Sequence, residues 1–331
     1  MIYAILPMHW GVEKLLNQSV GDYIKIFLLV IKMKEITIPP KYRGIFFIIL
    51  SAFCFAVMNL FVRLSGDVPS MQKCFFRNLV SLFFAFGVLI KNKQGFKWKK
   101  GNLKWLLLRS FAGTAGIIGN FYAIDHIALA DASILNKMSP FFVIIFSIIL
   151  LKEKLTLFQG LVVFAAFIGC LFIVKPTFAD IDIVPYASGL MSGLGAGFAY
   201  TIVRILGKKG EQGSLIVFFF SAFSCIATLP VLILDFHPME WWQLLMLLGA
   251  GLAATGGQFS ITAAYYHAPA REISVYDYSQ IIFATLLGLI FLGELPDIYS
   301  FIGYAIIISM AVLMFLYNND KGVFQKLKKQ D

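Results

Sequence analysis

Long apolar runs separated by short polar segments dominate the pattern of residues along the chain. An α-helix rises 1.5 Å per residue, so about 20 apolar residues cross the hydrocarbon core of a bilayer. Ten runs meet this length. They predict transmembrane helices at residues 44–64, 71–90, 103–124, 132–151, 155–174, 185–206, 214–234, 241–264, 272–292 and 298–317. The segments between them are too short for a soluble domain, so the pattern predicts an all-α membrane protein.

The composition agrees with a chain embedded in a lipid bilayer. Of the 331 residues, 59% are hydrophobic and only 14% are charged, and the mean hydropathy is +0.81. A soluble fold of this length cannot hide that much apolar surface. The net charge of +10 suggests an anionic partner. Because the basic residues lie in short segments between apolar runs, we expect lipid headgroups in that role and no nucleic acid.

Basic residues are concentrated in alternate loops. The basic loops contain Lys41 and Arg43, the six lysines between 91 and 104, Lys152 and Lys154, Lys208 and Lys209, Arg271, and the four lysines from 321 to 329. The other loops are richer in aspartate, at Asp125, Asp131, Asp180, Asp182, Asp235 and Asp297. Basic loops stay in the cytoplasm. The alternation therefore predicts a multi-pass protein of the cell membrane (inner or plasma membrane) with both termini in the cytoplasm.

The two ends of the chain are predicted to lie outside the bundle. Residues 1–43 are interpreted as an N-terminal cytoplasmic segment and residues 318–331 as a basic cytoplasmic tail. The apolar stretch at 24–31 is too short to span a bilayer, and the segment lacks the pattern of a secretory signal. An interfacial helix, or an extension upstream of a start at Met33, are the open alternatives.

The two halves of the chain align without a gap at an offset of 141 positions. The matches include Arg63 with Arg204, His126 with His267 and Glu153 with Glu294. Each half, 44–174 and 185–317, holds five predicted spans. Because five is odd, the second half must enter the membrane from the opposite side. We therefore predict ten helices built as two inverted five-helix repeats, an arrangement typical of secondary transporters.

Polar residues share one face at the start of the fourth and ninth predicted spans. In the fourth span this face carries Ser133, Asn136, Lys137 and Pro140, and in the ninth it carries Asp277 and Tyr278, with Gln280 nearby. Pro140 also removes a backbone donor and frees a carbonyl. Polar groups are expensive inside hydrocarbon, so they predict opposite walls of a central cavity. The alternative is that Lys137 and Asp277 extend to the nearest membrane surface.

The second and third spans carry arginines. Arg109 shares a helix face with Gly113, Gly116 and Asn120, and Arg77 lies near Asn78 and Ser81. A buried arginine needs a partner or an anion, so Arg77, Arg109 and Asn120 are further candidates for the cavity. Interfacial anchoring of Arg77 and simple helix packing by the glycines are equally good interpretations. Packing is also favoured over gating for the stripe of Gly189, Gly193 and Gly197 in the sixth span.

The sequence offers little for catalysis or metal binding. The four cysteines each lie within an apolar run and are not closely spaced, which predicts neither a zinc site nor a disulfide framework. No nucleophile–base pattern or phosphate-binding loop is present, so we expect no enzyme activity, no metal and no cofactor. Glu153 and Glu294 lie at span ends, where capping or an ion pair with Lys154 is favoured over proton coupling.

Several stretches resemble the drug/metabolite transporter superfamily, specifically its EamA-type members. The segment FFRNLVSLFFA around Arg77 resembles the second span of that family. LRSFAGTAGIIGNFYAI, ALADASILNKMSPFFVIIFSIILLKEKLTLFQG and the LGEL of residues 292–295 resemble its repeat ends, with Pro140, Glu153 and Glu294 at matching positions. Ile281 departs from the pattern, since it stands where a proline is expected. The resemblance implies ten helices, a path lined by spans 1, 3, 4, 6, 8 and 9, and peripheral spans 5 and 10 that would support a homodimer.

The resemblance implies a transporter of amino acids, other metabolites or drugs, often an exporter. We therefore predict a secondary transporter that moves a small solute by alternating access. The mixed charges of the candidate cavity suggest an amino acid or an organic anion. A non-transporting membrane protein with a degenerate transporter fold, and a lipid-modifying intramembrane enzyme, are the alternatives. The latter predicts clustered histidines or acids at one interface, a pattern that the sequence does not contain.

Overall fold

The computed structural model describes residues 39, 42–92, 95–127, 129–174, 183–293 and 295–319. Most of the predicted N-terminal segment, nearly all of the basic tail, and Glu294 lie outside the described residues. In chain order the helices are α1 Arg43–Leu64, α2 Ser70–Lys91, α3 Leu103–His126, α4 Leu129–Asn136, α5 Ser139–Leu151, α6 Leu157–Val174, α7 Ile183–Lys208, α8 Gly213–Leu234, α9 Trp241–His267, α10 Ala270–Ile273, α11 Ser279–Leu292 and α12 Ile298–Asn319. A 3-10 helix, Ser274–Tyr278, joins α10 to α11.

Eight helical stretches of the described part are long and apolar enough to cross a membrane. Six of them are the unbroken helices α1, α2, α7, α8, α9 and α12, and two run through a break, at Ala132–Leu151 and Ala270–Leu292. The predicted spans at 103–124 and 155–174 are also helical, as α3 and α6. They fall outside the eight; the apolar part of α6, Leu157–Ile173, is shorter than the others. The multi-pass helical architecture is thus established, and the count of ten spans stays a prediction.

The largest helix–helix contacts join the first half of the chain to the second. Helix α1 packs on α9, α3 on α7, α2 on α8 and α6 on α12. Helix α5 also packs on α7, and α11 packs on α1. The repeat makes α1 the counterpart of α7, α3 that of α9 and α5 that of α11. If each helix is replaced by its counterpart, the contact α1–α9 becomes α7–α3, and the contact α5–α7 becomes α11–α1. The contacts α2–α8 and α6–α12 remain the same. The packing therefore follows the internal repeat of the sequence.

Helix α7 approaches its neighbours closely because its contact faces are made of small residues. A Cβ atom on Gly195 would lie 2.8 Å from the carbonyl oxygen of Ala112 and 3.0 Å from the Cα of Gly116 on α3. A Cβ on Gly193 would lie 2.6 Å from the carbonyl oxygen of Leu135 on α4. Such distances leave no room for a side chain. At Gly193 and Gly195 the helices therefore pack backbone against backbone.

The predicted fourth span is broken between α4 and α5, where the sequence pattern suggested one helix. Pro140 lies at the start of α5 and has no backbone N–H, so the helical bond to the carbonyl of Asn136 cannot form. The amides of Phe141 and Phe142 both donate to the carbonyl of Met138 instead, at 3.0 and 3.2 Å. The proline thus restarts the helix at this point.

The predicted ninth span is also broken, although it has no proline. Residues Ser274–Tyr278 form a 3-10 helix. The hydroxyl of Ser274 donates to the carbonyl of Ala270, and that of Ser279 donates to the carbonyl of Tyr276, each at 2.7 Å. Serine hydroxyls that bond to nearby carbonyls compete with regular helical bonding. Both halves of the chain therefore interrupt the same span, by different local chemistry.

Candidate functional site

A buried ion pair joins the two broken spans. Lys137 lies in the turn between α4 and α5, and Asp277 lies in the 3-10 helix that precedes α11. The Nζ atom of Lys137 lies 2.9 Å from Oδ2 of Asp277, and the two side chains are only 8% and 9% exposed. The aligned repeat matches Asp277 with Asn136, the residue before Lys137. The pair therefore connects nearly equivalent points of the two halves.

The ammonium group of Lys137 has an acceptor for each of its three protons. It donates to Asp277 Oδ2, to Gln280 Oε1 at 2.7 Å, and to the backbone carbonyl of Asp277 at 3.4 Å. A lysine can donate three hydrogen bonds and accept none. The ammonium is fully satisfied by α11 and the 3-10 helix before it.

This geometry differs from the alternative in which each charge extends to its nearest membrane surface. Lys137 stands eight residues after the first residue of α4, and Asp277 stands seven residues after the first residue of α10. Both side chains instead point into the bundle and neutralise one another across the two halves. An ion pair in a low-dielectric interior retains its attraction, which exposed charges largely lose to water.

The remaining candidates on these spans lie beside the pair and bond elsewhere. The amide of Asn136 donates to the hydroxyl of Ser192 on α7 at 3.1 Å. Pro140 is buried at the start of α5. Tyr278 is fully buried, and its ring centroid lies 6.5 Å from that of Phe167 on α6. Its hydroxyl has no hydrogen-bond partner among the residues that the structure describes. Of the candidates on the fourth and ninth spans, only Lys137, Asp277 and Gln280 bond directly to one another.

The two arginines of the second and third spans form a separate buried cluster. Arg109 is 1% exposed; its Nη2 donates to Oε1 of Gln258 on α9 at 3.0 Å, and its guanidinium carbon lies 3.8 Å from the ring centre of Phe220 on α8. Arg77 is 4% exposed, and its Nε lies 3.0 Å from the sulfur of Met58. Both arginines are buried among the helices, whereas a side chain that anchors the protein at an interface would be exposed.

Asn120 does not join either cluster. It is half-buried in the last third of α3. Within the described part of the chain, no hydrogen bond links its side chain to the ion pair or to the arginines. The helical spacing from Arg109 placed both residues on one face, but that face is long enough for its two ends to meet different neighbours.

Three polar residues near the site were not among the sequence candidates. Gln258 is the partner of Arg109, and Tyr200 stacks on Tyr265 with ring centroids 5.2 Å apart. Gln258 is the one amide side chain between Leu244 and Tyr265, which is a usable signal. The tyrosines carry no such signal, because aromatic residues are common throughout this chain.

A second ionic cluster ties together the ends of several helices on the side of the basic loops. Oε1 of Glu153, just after α5, lies 3.3 Å from Nζ of Lys208 and 3.5 Å from Nε of Arg204, both on α7. Nη1 of Arg204 also donates to the carbonyls of Tyr265 and Tyr266 at the end of α9. The sequence suggested Lys154 as the partner of Glu153. The structure places two cations of α7 there instead, because α5 packs on α7.

Comparison with known proteins identifies the family. The model of the EamA-like transporter family matches residues 42–175 and again residues 187–316. The chain belongs to the EamA-like transporter family. This confirms the resemblance to the drug/metabolite transporters, and with it a transporter of small solutes in a membrane and not an enzyme.

Individual relatives support this assignment along most of the chain. The pseudopaline exporter CntI of Pseudomonas aeruginosa is 32% identical over 82% of this chain and 95% of its own length. Solute carrier family 35 member G1 of Homo sapiens is 28% identical over 78% of this chain and 74% of its own. A solved crystal structure, 14% identical, superposes with a TM-score of 0.73 over 82% of this chain and 97% of its own. The last comparison shows a shared fold.

The Lys137–Asp277 ion pair predicts how the free energy of unfolding changes when one or both charges are removed. Asp277→Asn leaves the charge of Lys137 without a counter-ion, so we expect a loss of about 3–5 kcal/mol and a lower Tm in detergent. The double variant Lys137→Gln with Asp277→Asn has no charge left to satisfy and should regain most of that loss.

Glu272→Gln provides the matched control for this cycle. Glu272 lies 4.0 Å from Arg271 in a partly exposed pair, so its loss should cost at most about 1 kcal/mol. Thermal unfolding of the native chain, of Lys137→Gln and Asp277→Asn made singly, and of the double variant measures the cycle. Strictly additive losses for Lys137 and Asp277 would show that the two charges do not stabilise each other.

Proposed function

We propose that the chain is a secondary transporter that exports a small solute by alternating access, with Lys137, Asp277 and Gln280 at the centre of its solute site. Two inverted five-helix repeats, 44–174 and 185–317, would form the bundle, with both termini in the cytoplasm. The repeat at an offset of 141, the twofold match to the family and the exchange symmetry of the helix contacts support this arrangement. Two similar halves can rock between packings of similar energy.

The observation that carries the proposal is the ion pair at the two helix breaks. A charged pair inside hydrocarbon is expensive, and a purely structural contact could use apolar residues instead. Here the pair sits where both spans give up regular backbone bonding, and irregular backbone at membrane depth belongs to cavities and binding sites. A solute that carries its own charges can replace each partner of the pair. The pair then opens without leaving Lys137 or Asp277 unsatisfied.

The direction and the class of solute follow from two further points. The Pseudomonas relative, similar along most of its length, is named as an exporter. The site offers both a positive and a negative group, which suits an amino acid or an organic anion.

The cluster at Glu153 supplies a closing contact for one side of the bundle. To open the path toward the basic loops, α5 and α7 must separate there, and the Glu153 pairs must break. The sequence repeat matches Glu153 with Glu294 and Arg204 with Arg63. An equivalent acidic–basic pair of residues is therefore encoded for the opposite end of the bundle, as alternating access between inverted repeats requires.

Efflux from liposomes tests the proposed function. The purified native chain should move at least one solute from a panel of amino acids and organic anions. Lys137→Gln and Asp277→Asn should each reduce that flux about tenfold or more, which corresponds to a loss of about 1.4 kcal/mol in the rate-limiting step. Lys104→Gln, an exposed lysine on α3, is the control and should transport at the native rate.

Two results of this assay would contradict the proposal. Native flux in both charge variants would remove the pair from the transport mechanism. A native chain that moves none of the solutes in either direction would support the alternative, a non-transporting member of the family.

Hydrogen exchange tests the role of the Glu153 cluster. Glu153→Gln removes the acceptor charge that holds Arg204 and Lys208, so the ends of α5, α7 and α9 should open more often. We expect faster amide exchange at residues 204–211 and 263–268. Glu240→Gln, at the far end of α9, is the control and should leave both segments unchanged. Equal protection in the native chain and in Glu153→Gln would show that the cluster does not restrain opening.

A further inference from the structure

Arg77 and Arg109 keep hydrogen-bond donors that nothing in the described structure satisfies. The buried atoms without a partner include Nη1 of Arg77 and both Nε and Nη1 of Arg109. The two residues are 4% and 1% exposed, so bulk water does not reach them. A buried donor left without an acceptor costs about 1–3 kcal/mol, and more when it is charged. Stability alone therefore does not explain these groups.

Neither guanidinium has a counter-ion within the described part of the chain. Arg109 rests on the ring of Phe220 and bonds one neutral amide, and Arg77 contacts a thioether. Lys137 and Asp277 neutralise each other. These four buried charges of the spans therefore sum to +2, in a medium where an uncompensated charge is costly.

Tyr200 and Gln258 link the surroundings of Arg109 to helices α7 and α9. The ring of Tyr200 on α7 stacks on Tyr265 of α9 with ring centroids 5.2 Å apart, and α9 also carries Gln258, which accepts a hydrogen bond from Arg109.

The residues around Arg109 fix the position of its guanidinium but bond only one of its three nitrogens. A Cβ atom on Gly113 would lie 2.5 Å from Nη1 of Arg109 and 2.9 Å from the ring of Phe220, so only glycine fits at this position. The ring of Phe220 covers one face, and Gln258 occupies one of the three nitrogens. A guanidinium supported in this way is preorganised, with donors still available for an oxyanion.

We propose that Arg77 and Arg109 form an anion subsite that binds an oxyanion, a carboxylate or a phosphate, of the transported solute. This inference rests on the proposed transport function and specifies that the solute carries a carboxylate or phosphate group. That group supplies the acceptors that the two guanidinium groups lack and offsets the excess positive charge of the four buried side chains. The rest of the solute then extends toward the Lys137–Asp277 pair.

Thermal unfolding in detergent tests the subsite with succinate as the carboxylate probe and inorganic phosphate as the phosphate probe, each against chloride at equal ionic strength. A ligand that binds only the folded state raises Tm, by about 3 °C or more near saturation for a chain of this size. We expect succinate or phosphate to do so, and the anion that acts assigns the chemical class. Arg77→Gln and Arg109→Gln should each lose at least half of the rise.

Matched controls lie on the same helices. Lys91→Gln on α2 and Lys104→Gln on α3 remove exposed positive charges and should keep the full rise. Arg109→Lys keeps the charge and serves if Arg109→Gln does not fold; it should retain a reduced rise. If neither anion raises Tm of the native chain above chloride, or if the arginine variants keep the full rise, the subsite is wrong.

The efflux assay separates this inference from the proposed function. Native efflux of a solute together with an anion-independent Tm overturns the subsite and leaves the transporter intact. An anion-specific rise that depends on both arginines, in a chain that transports nothing, establishes the subsite and overturns the transporter.

Discussion

Hydrocarbon offers no water to a charge, and this single constraint organises the interior of the bundle. Lys137 and Asp277 can remain charged there only because each satisfies the other. Their contact requires two spans from opposite halves of the chain to meet at their breaks. The proline break of one span and the 3-10 segment of the other place the two charges on facing turns. The ion pair and the irregular backbone therefore depend on each other.

The interior also contains two buried charges that no partner in the described structure neutralises. Arg77 and Arg109 are as deeply buried as the pair, yet they retain donors without acceptors. The bundle therefore holds one neutralised ion pair and two cations with unused donors, and the proposed oxyanion would supply the acceptors that the cations lack. The glycine faces of α7 let neighbouring helices enclose this region without large side chains in the way.

The sequence is enough to predict where the helical spans lie, but it does not predict which side chains contact each other. Hydropathy located the helical spans, and the polar face of the fourth span identified Lys137, because both signals are local. The partner of Lys137 lies 140 positions away and depends on how α11 and its 3-10 helix pack, which no periodicity encodes. The same limit applies to three other residues. The sequence placed Asn120 beside Arg109 and suggested Lys154 as the partner of Glu153. It did not identify Gln258 as the partner of Arg109.

The most direct test of this account is a charge exchange across the two halves. Lys137→Asp and Asp277→Lys, made singly, place like charges together and should abolish solute efflux from liposomes. The double variant restores an opposite pair and should recover measurable efflux. Efflux at the native rate in either single reversal would show that the pair is not the centre on which transport depends.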